Sequence, residues 1–131
     1  MSKNYKLTLL SALAAALLAT GVQSCKKANT APVVNWLTPT DTTVVTLPDS
    51  IALQGTVSDD ADLHELAIYM VREQTDTVLY QDIYVHGLKA YSYRANFFPD
   101  STQTGAYMLY VSAQDHDGGS TLFTRSFTVQ P

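Results

Sequence analysis

From Val33 onward, apolar and polar residues alternate in steps of two, the period of a β-strand that buries one face. Proline, glycine and aspartate interrupt this alternation at short intervals, as they do in turns. The pattern predicts eight strands, at residues 33–37, 42–47, 50–58, 65–73, 77–85, 91–98, 107–114 and 121–129. Seven or eight short strands in a chain of this length indicate an all-β fold, an antiparallel β-sandwich of two sheets.

Within three of these strands, alternate residues predict which face is buried. The inward sets are Ile51, Leu53, Gly55 and Val57; Leu66, Ile68 and Met70; and Tyr107, Leu109, Val111 and Ala113. In the last strand, Arg125 shares the parity of Phe127, an apolar residue that should face the core. A bulge or an edge position would each explain a charged residue there, and the sequence leaves both open.

The first 24 residues have the features of an export signal. Lys3 and Lys6 supply positive charge, and the 13 residues from 7 to 19 are almost all apolar or small. A helix needs roughly 20 apolar residues to cross a ~30 Å hydrocarbon core, so this run is too short for a stable transmembrane helix. We therefore predict a signal peptide at residues 1–24.

The residues around the cleavage point, Val22-Gln23-Ser24-Cys25, resemble the lipobox of bacterial lipoproteins, and the lysines that follow are similar to those of Bacteroidota lipoproteins. The resemblance implies acylation (palmitate-type chains) at Cys25, a tether at residues 25–32 and a domain at residues 33–131. It also implies an outer-membrane location in the cell envelope, on either the periplasmic or the surface leaflet. The alternative is a plain secretory signal that has a cysteine near its cut.

Charge and missing motifs exclude several classes of function. Without Lys3 and Lys6, the mature chain has 6 basic and 12 acidic residues, a net charge of −6, which disfavours nucleic acid as a partner. The single cysteine excludes an intramolecular disulfide and a CxxC zinc site. The chain contains no GxSxG, HExxH, GxxxxGK[ST] or GxGxxG motif, so we predict that it is not an enzyme.

The end of the chain resembles a known type of domain. Residues 105–115, GAYMLYVSAQD, followed by Gly118-Gly119 and by RSFTV at 125–129, look like the closing hairpin of bacterial Ig-like domains. In these domains Tyr107 would be the tyrosine corner, whose hydroxyl holds the preceding loop. Residues 55–63 similarly resemble their second strand and its acidic loop. The chain is also similar to a family of uncharacterised Bacteroidota lipoproteins, a domain of unknown function. The resemblance implies an Ig-like β-sandwich that acts as a membrane-anchored binding or spacer module.

Five aspartates are predicted to lie together at one end of such a sandwich. They are Asp59, Asp60 and Asp62 after the third strand, and Asp115 and Asp117 after the seventh. Calcium prefers carboxylate and carbonyl oxygens, so these residues indicate a calcium site that would stabilise an adhesion or structural domain. Two other interpretations stay open: ordinary turn-forming aspartates, and a zinc site that uses His64 and His116. We interpret His86-Gly87 as a turn. The residues require no cofactor, and calcium is the one that they suggest first.

Tyrosines supply a second candidate site. Tyr69 and Tyr110 have outward parity, and Tyr80 and Tyr84 share one face of the fifth strand. Exposed aromatic rings can stack on sugars, which suggests a glycan-binding accessory of a polysaccharide-uptake system. The alternative is that these are ordinary strand tyrosines, half-buried with their hydroxyls in water. The expected partners are therefore the membrane, through the lipid anchor, and a protein or glycan ligand.

Overall fold

A computed structural model of the chain describes residues 27–131. The predicted signal peptide at residues 1–24 and the predicted lipidation of Cys25 lie outside the described residues. Within residues 27–131, every regular element is a β-strand, and none is a helix long and apolar enough to cross a membrane. The all-β fold predicted from the alternating pattern is confirmed.

Eight strands form the domain, and each lies where the alternating pattern predicts it, with ends that differ by at most two residues. They are β1 (Val33–Thr38), β2 (Val44–Thr46), β3 (Ile51–Ser58), β4 (Leu63–Arg72), β5 (Asp76–Ile83), β6 (Ala90–Phe97), β7 (Gly105–Asp115) and β8 (Ser120–Gln130). One boundary changes the prediction. Because β5 ends at Ile83, Tyr84 lies beyond the strand and does not share a strand face with Tyr80.

The strands are arranged in two sheets, with the order β1-β3-β6 in one and β2-β8-β7-β4-β5 in the other. All neighbouring strands are antiparallel except β2 and β8, which run parallel at one edge of the larger sheet. The chain therefore crosses between the sheets early, in the five residues that separate β1 from β2. This is the Ig-like sandwich expected from the sequence, in which consecutive hairpins are distributed over two sheets.

The core lies between the two sheets and contains all three inward sets predicted from parity. In the larger sheet, the inward residues of β4 and β7 are at most 2% exposed. In the smaller sheet, the rings of Trp36 and Tyr93 stack with centroids 5.9 Å apart, on either side of Gly55 in the strand order. A Cβ atom at Gly55 would lie 2.3 Å from Trp36, so glycine is required there because the indole fills the space above the strand.

The last strand settles the alternative that the sequence left open at Arg125. Strand β8 pairs with β7 in unbroken register, so there is no bulge, whereas β2 covers only residues 128–130. Arg125 therefore lies on an uncovered edge of the sheet. Its guanidinium pairs with the Asp41 carboxylate at 2.8 Å and lies 4.8 Å from the centre of the Phe123 ring. The edge interpretation is confirmed.

Candidate functional site: the histidine pole

Three connections meet at one end of the sandwich, which we call the histidine pole: residues 59–62, 84–89 and 116–119. Main-chain hydrogen bonds join them. The Leu63 amide donates to the Leu88 carbonyl at 2.8 Å, and the His116 amide donates to the Asp62 carbonyl at 3.1 Å. The β3–β4 and β7–β8 loops therefore lie at the same end, as the sequence predicted. The β5–β6 connection also lies there.

All three histidines of the chain lie at this pole, where they form what we call the histidine cluster, His64, His86 and His116. His86 is central. Its Nδ1 atom lies 3.3 Å from Nδ1 of His64, and its Nε2 atom lies 3.2 Å from Nε2 of His116. The His64 and His116 rings are themselves 4.7 Å apart between centroids. One nitrogen from each ring can be chosen so that all three lie within 4.8 Å of one another.

Buried neighbours and an irregular strand position the histidine cluster. Leu63 and Val85, which immediately precede His64 and His86, are fully buried and anchor those two segments. Between Leu63 and Glu65 the pairing of β4 with β7 shifts by one residue, a β-bulge with His64 as the extra residue. The bulge leaves both His64 and Glu65 exposed. The side chain of His64 is thereby free at the surface beside the other two imidazoles.

Three of the five predicted aspartates, Asp59, Asp60 and Asp115, accept hydrogen bonds through their carboxylates within the protein. Asp60 forms an ion pair with Lys27 and accepts a hydrogen bond from the Thr30 hydroxyl at 2.7 Å. These contacts lower the pKa of the Asp60 carboxyl, the Lys27 hydrogen bond most of all, and Asp60 in turn raises the pKa of Lys27. Lys27, in the segment that precedes β1, therefore balances part of the negative charge for which a bound cation was expected.

Asp115 is buried, with 1% of its surface exposed, and organises the β7–β8 loop. Its Oδ1 atom accepts hydrogen bonds from the amides of Asp117 and Gly119, both at 2.8 Å, and its Oδ2 atom accepts one from the Asn29 side chain at 3.0 Å. Burial acts to raise the pKa of the Asp115 carboxyl, but these hydrogen bonds outweigh it and lower the pKa. The carboxylate is thus a structural anchor of its own loop.

Among residues 27–131, the histidine cluster is the one set of three metal-ligating side chains whose ligand atoms lie close enough to share an ion. The aspartates predicted to bind calcium share the pole but are not gathered into such a set, and the calcium site stays a prediction. His86 is the member that the sequence did not assign. The signal was present in the topology, because a strand antiparallel to β4 must end at the pole where β4 begins.

The predicted tyrosines lie on the outer face of the larger sheet, in a row across β5, β4 and β7. Tyr69 is paired in register with both Tyr80 and Tyr110. The rings of Tyr69 and Tyr110 stack on each other, with centroids 4.7 Å apart and planes 9° from parallel, so each covers one face of the other. Tyr80, at the end of the row, is 65% exposed and has the most accessible ring of the three.

Beside Tyr80 the outer face holds a shallow depression of about 270 Å³. Polar side chains line it, among them Glu65 and Asp82, together with Gln114. The exposed ring of Tyr80 therefore lies next to carboxylate and amide groups on the outer face.

Comparison with known proteins shows the fold alone. No protein-family model matches the chain, and no curated protein matches it. Among solved structures, an engineered protein is 19% identical over 79% of this chain and 21% of its own, with a TM-score of 0.55. The fibronectin(III)-like modules of CbhA from Clostridium thermocellum are 17% identical over 79% of this chain and 49% of theirs, with a TM-score of 0.48.

A third similar structure is the CARDB domain of a Pyrococcus furiosus protein, which was solved in complex with di-metal ions. It is 11% identical over 80% of this chain and 99% of its own, with a TM-score of 0.48. The chain spans about a fifth of the length of the engineered protein and about half of the length of the CbhA modules. By its strand order, with β1-β3-β6 in one sheet and β2-β8-β7-β4-β5 in the other, the chain is a β-sandwich of the Ig-like class.

Proposed function

We propose that this protein is a non-catalytic Ig-like module that binds or spaces a partner at the bacterial cell envelope, to which a lipid on Cys25 attaches it. The observation that carries the proposal is the course of the first described residues. Lys27 and Thr30 contact Asp60, and Asn29 contacts Asp115, so the chain enters the domain at the histidine pole. Lys27 is the second residue after Cys25, so the two are at most about 7 Å apart along the chain.

This geometry gives the anchored domain a defined orientation. A lipid on Cys25 would hold the histidine pole at the membrane surface, because the tether is short and Lys27 is bonded to the domain. The opposite pole, formed by the β4–β5 turn and the β6–β7 connection, would then point away from the membrane. The outer face of the larger sheet would then lie perpendicular to the membrane surface, where a ligand can reach it.

The lipid anchor is tested by expressing the whole chain in a Gram-negative bacterium that is fed labelled palmitate. We expect the label in the parent chain and in Ser24→Ala, which keeps a small residue before the cysteine, and none in Cys25→Ser. Label that persists in Cys25→Ser, or a parent chain released into the periplasm without label, would contradict the proposal. A panel of hydrolase substrates tests the proposal that the module is non-catalytic. Turnover that a single side-chain change abolishes would show that the protein is an enzyme.

The orientation is tested by labelling an introduced cysteine. When Cys25, the single cysteine of the chain, carries lipid, no other thiol competes for the label. Lys89→Cys places a fluorescent label at the histidine pole, and Ser101→Cys places the same label at the opposite end; both positions are exposed. In vesicles that contain nitroxide lipids, we expect stronger quenching at position 89 than at position 101. Equal quenching, or the reverse order, would contradict the orientation but not the anchor.

A carbohydrate is the second candidate ligand, and the depression beside Tyr80 favours it. The free face of the Tyr80 ring can stack on a sugar, while the Asp82 and Glu65 carboxylates can accept hydrogen bonds from its hydroxyls. Tyr69 lies beside this ring, with centroids 6.4 Å apart, and Tyr110 in turn stacks on Tyr69, so the two would hold Tyr80 in place. The glycan-binding role would fit an accessory of a polysaccharide-uptake system.

A glycan array tests this candidate with the parent chain and four variants. We expect Tyr80→Ala to abolish binding and Tyr69→Ala to weaken it, whereas Tyr91→Ala, on the smaller sheet, should leave it unchanged. Tyr110→Ala should resemble Tyr69→Ala, since each ring packs on the other. Absence of binding to every glycan, or binding that survives Tyr80→Ala, would remove carbohydrate as the ligand and leave a protein partner.

A further inference from the structure

We propose that the histidine cluster is a binding site for a transition-metal dication, with Zn²⁺ as its reference ion and one imidazole nitrogen from each of His64, His86 and His116 as ligands. The chemistry of the donors decides the class of ion. Neutral imidazole suits zinc, copper and nickel, whereas calcium and magnesium prefer oxygen ligands. The inference is independent of the lipid anchor and of the carbohydrate site.

The distances suit such an ion. Ligands at ~2.05 Å from a tetrahedral Zn²⁺ lie about 3.4 Å from one another. The two close nitrogen pairs, His64 with His86 and His86 with His116, are 3.3 and 3.2 Å apart. His86 uses a different nitrogen in each pair, so a bound ion requires a ring rotation that gathers one nitrogen from each residue. All three rings are exposed, and rotation about the terminal bond of histidine is soft.

The surroundings favour a cation and hold the ligands in place. The fully buried Leu63 and Val85 fix the backbone beside two of the three histidines, so little ordering is needed when an ion binds. The Glu65 carboxylate lies 3.9 Å from Nε2 of His64 and can orient that ring, as carboxylates do for metal-bound histidines. Asp62 and Asp117 add negative charge at the same pole, which raises the local concentration of cations.

The proposed site joins three connections that are distant in sequence and leaves a coordination position open to solvent. Residues 64, 86 and 116 belong to the start of β4, the β5–β6 connection and the β7–β8 loop. A bound ion would therefore crosslink the histidine pole. Three protein ligands with an open fourth position can also accept water or a donor from a partner. Metal binding would thus stabilise the pole and make it a point of attachment.

The test is calorimetric titration of Zn²⁺ into the whole chain carrying Cys25→Ser, which removes the only thiol and with it a competing ligand. We expect one ion per chain. His86→Gln should weaken the affinity by at least about tenfold, since even changes outside the ligand shell cost that much. Ser120→Ala is the matched control: it changes an exposed residue of the same β7–β8 hairpin, keeps all three imidazoles and should retain binding near that of the parent.

A second measurement uses the unaltered histidines and so does not depend on how the variants fold. When Co²⁺ replaces Zn²⁺, paramagnetic broadening of amide resonances should be confined to residues 62–66, 84–88 and 115–118. Broadening centred elsewhere, zinc heat that persists when all three histidines are replaced, or no zinc heat at all would each overturn the proposal. So would an equal Ca²⁺ heat that survives His86→Gln, because it would place the ion among the aspartates.

Discussion

The hydroxyl of Tyr107 donates a 2.6 Å hydrogen bond to the main-chain carbonyl of Gln103, four residues earlier. Tyr107 is 2% exposed, and burial raises the pKa of its hydroxyl, which therefore stays a neutral donor. The hydrogen bond holds the β6–β7 connection against the start of strand β7. The tyrosine corner that the resemblance to Ig-like domains implied is confirmed, with the expected residue as donor.

Tyr107→Phe is predicted to lower the free energy of unfolding by about 1–2 kcal/mol, the value of one hydrogen bond plus a carbonyl left without its donor. The ring should keep its packing on Phe127, whose centroid is 5.0 Å away. Urea unfolding of both proteins measures the difference. Tyr80→Phe is the control, because that ring is 65% exposed and its change should have little effect. Equal losses in the two variants would show that the corner contributes nothing.

The strands were predictable from the sequence because each depends on its own alternation. In β7, for example, the alternation of Leu109 and Val111 with Met108 and Tyr110 alone identifies the buried face, and no distant contact changes it. The same local rule placed Tyr69 and Tyr110 on the outer face. Arg125 was ambiguous for a physical reason: whether β2 covers that stretch of β8 depends on a pairing that no local pattern records.

The site was less predictable because its members come together only through long-range topology. His86 follows β5, and its approach to His64 depends on the antiparallel pairing of β4 with β5, so a turn was the sufficient local interpretation. The balance of charge at Asp60 was also hidden. It depends on Lys27, and residues 27–32 have no strand pattern that would predict where they lie.

Gly55→Ala is predicted to lower the free energy of unfolding by about 1–3 kcal/mol, the range for overpacking a well-filled core. The added Cβ would lie 2.3 Å from Cε3 of Trp36, and the indole cannot move away without disturbing its stacking on Tyr93. Chemical denaturation followed by tryptophan fluorescence measures the loss, since Trp36 is the only tryptophan in the chain. Thr56→Ala, at the next and exposed position, should cost much less; a similar cost would contradict a steric origin.

Acid should weaken the β7–β8 loop through Asp115. Its pKa is lowered in the folded protein, so its contribution to stability is fully present above the ordinary aspartate pKa of about 3.9. The contribution is lost as the pH falls below that value and the folded carboxylate takes up a proton. We expect Asp115→Asn to be less stable than the parent at pH 5 and to lose less stability between pH 5 and pH 3.

Urea unfolding at pH 5 and at pH 3 measures the slope, which is the loss of unfolding free energy between the two pH values. Ser120→Ala, which changes the same hairpin without altering an ionisable group, should keep the slope of the parent. The Asp41, Asp60 and Asp100 carboxyls also have lowered pKa values, so the parent and the control should both lose stability in acid. A parent slope retained in Asp115→Asn would show that Asp115 contributes nothing to the acid sensitivity.

Thermal unfolding with chelator, then Ca²⁺, then Zn²⁺ separates the two metal sites that the pole suggests. An ion at 100 times its dissociation constant stabilises the folded state by about 2.7 kcal/mol, which raises the melting temperature of a domain of this size by about 10 °C. We expect this rise with Zn²⁺ and its loss in His86→Gln. With Ca²⁺ we expect a smaller rise, because Lys27 and Asn29 already occupy oxygens of Asp60 and Asp115.

The variants Asp60→Asn and His86→Gln show which side chains bind each ion. A calcium rise that disappears in Asp60→Asn and persists in His86→Gln would establish the site predicted from the aspartates. A zinc rise that persists in His86→Gln would contradict the histidine site, since His86 lies within 3.3 Å of each of the other two imidazoles. Because His86 is exposed, its replacement should leave the melting temperature in chelator unchanged, so any difference with zinc reports the loss of a ligand.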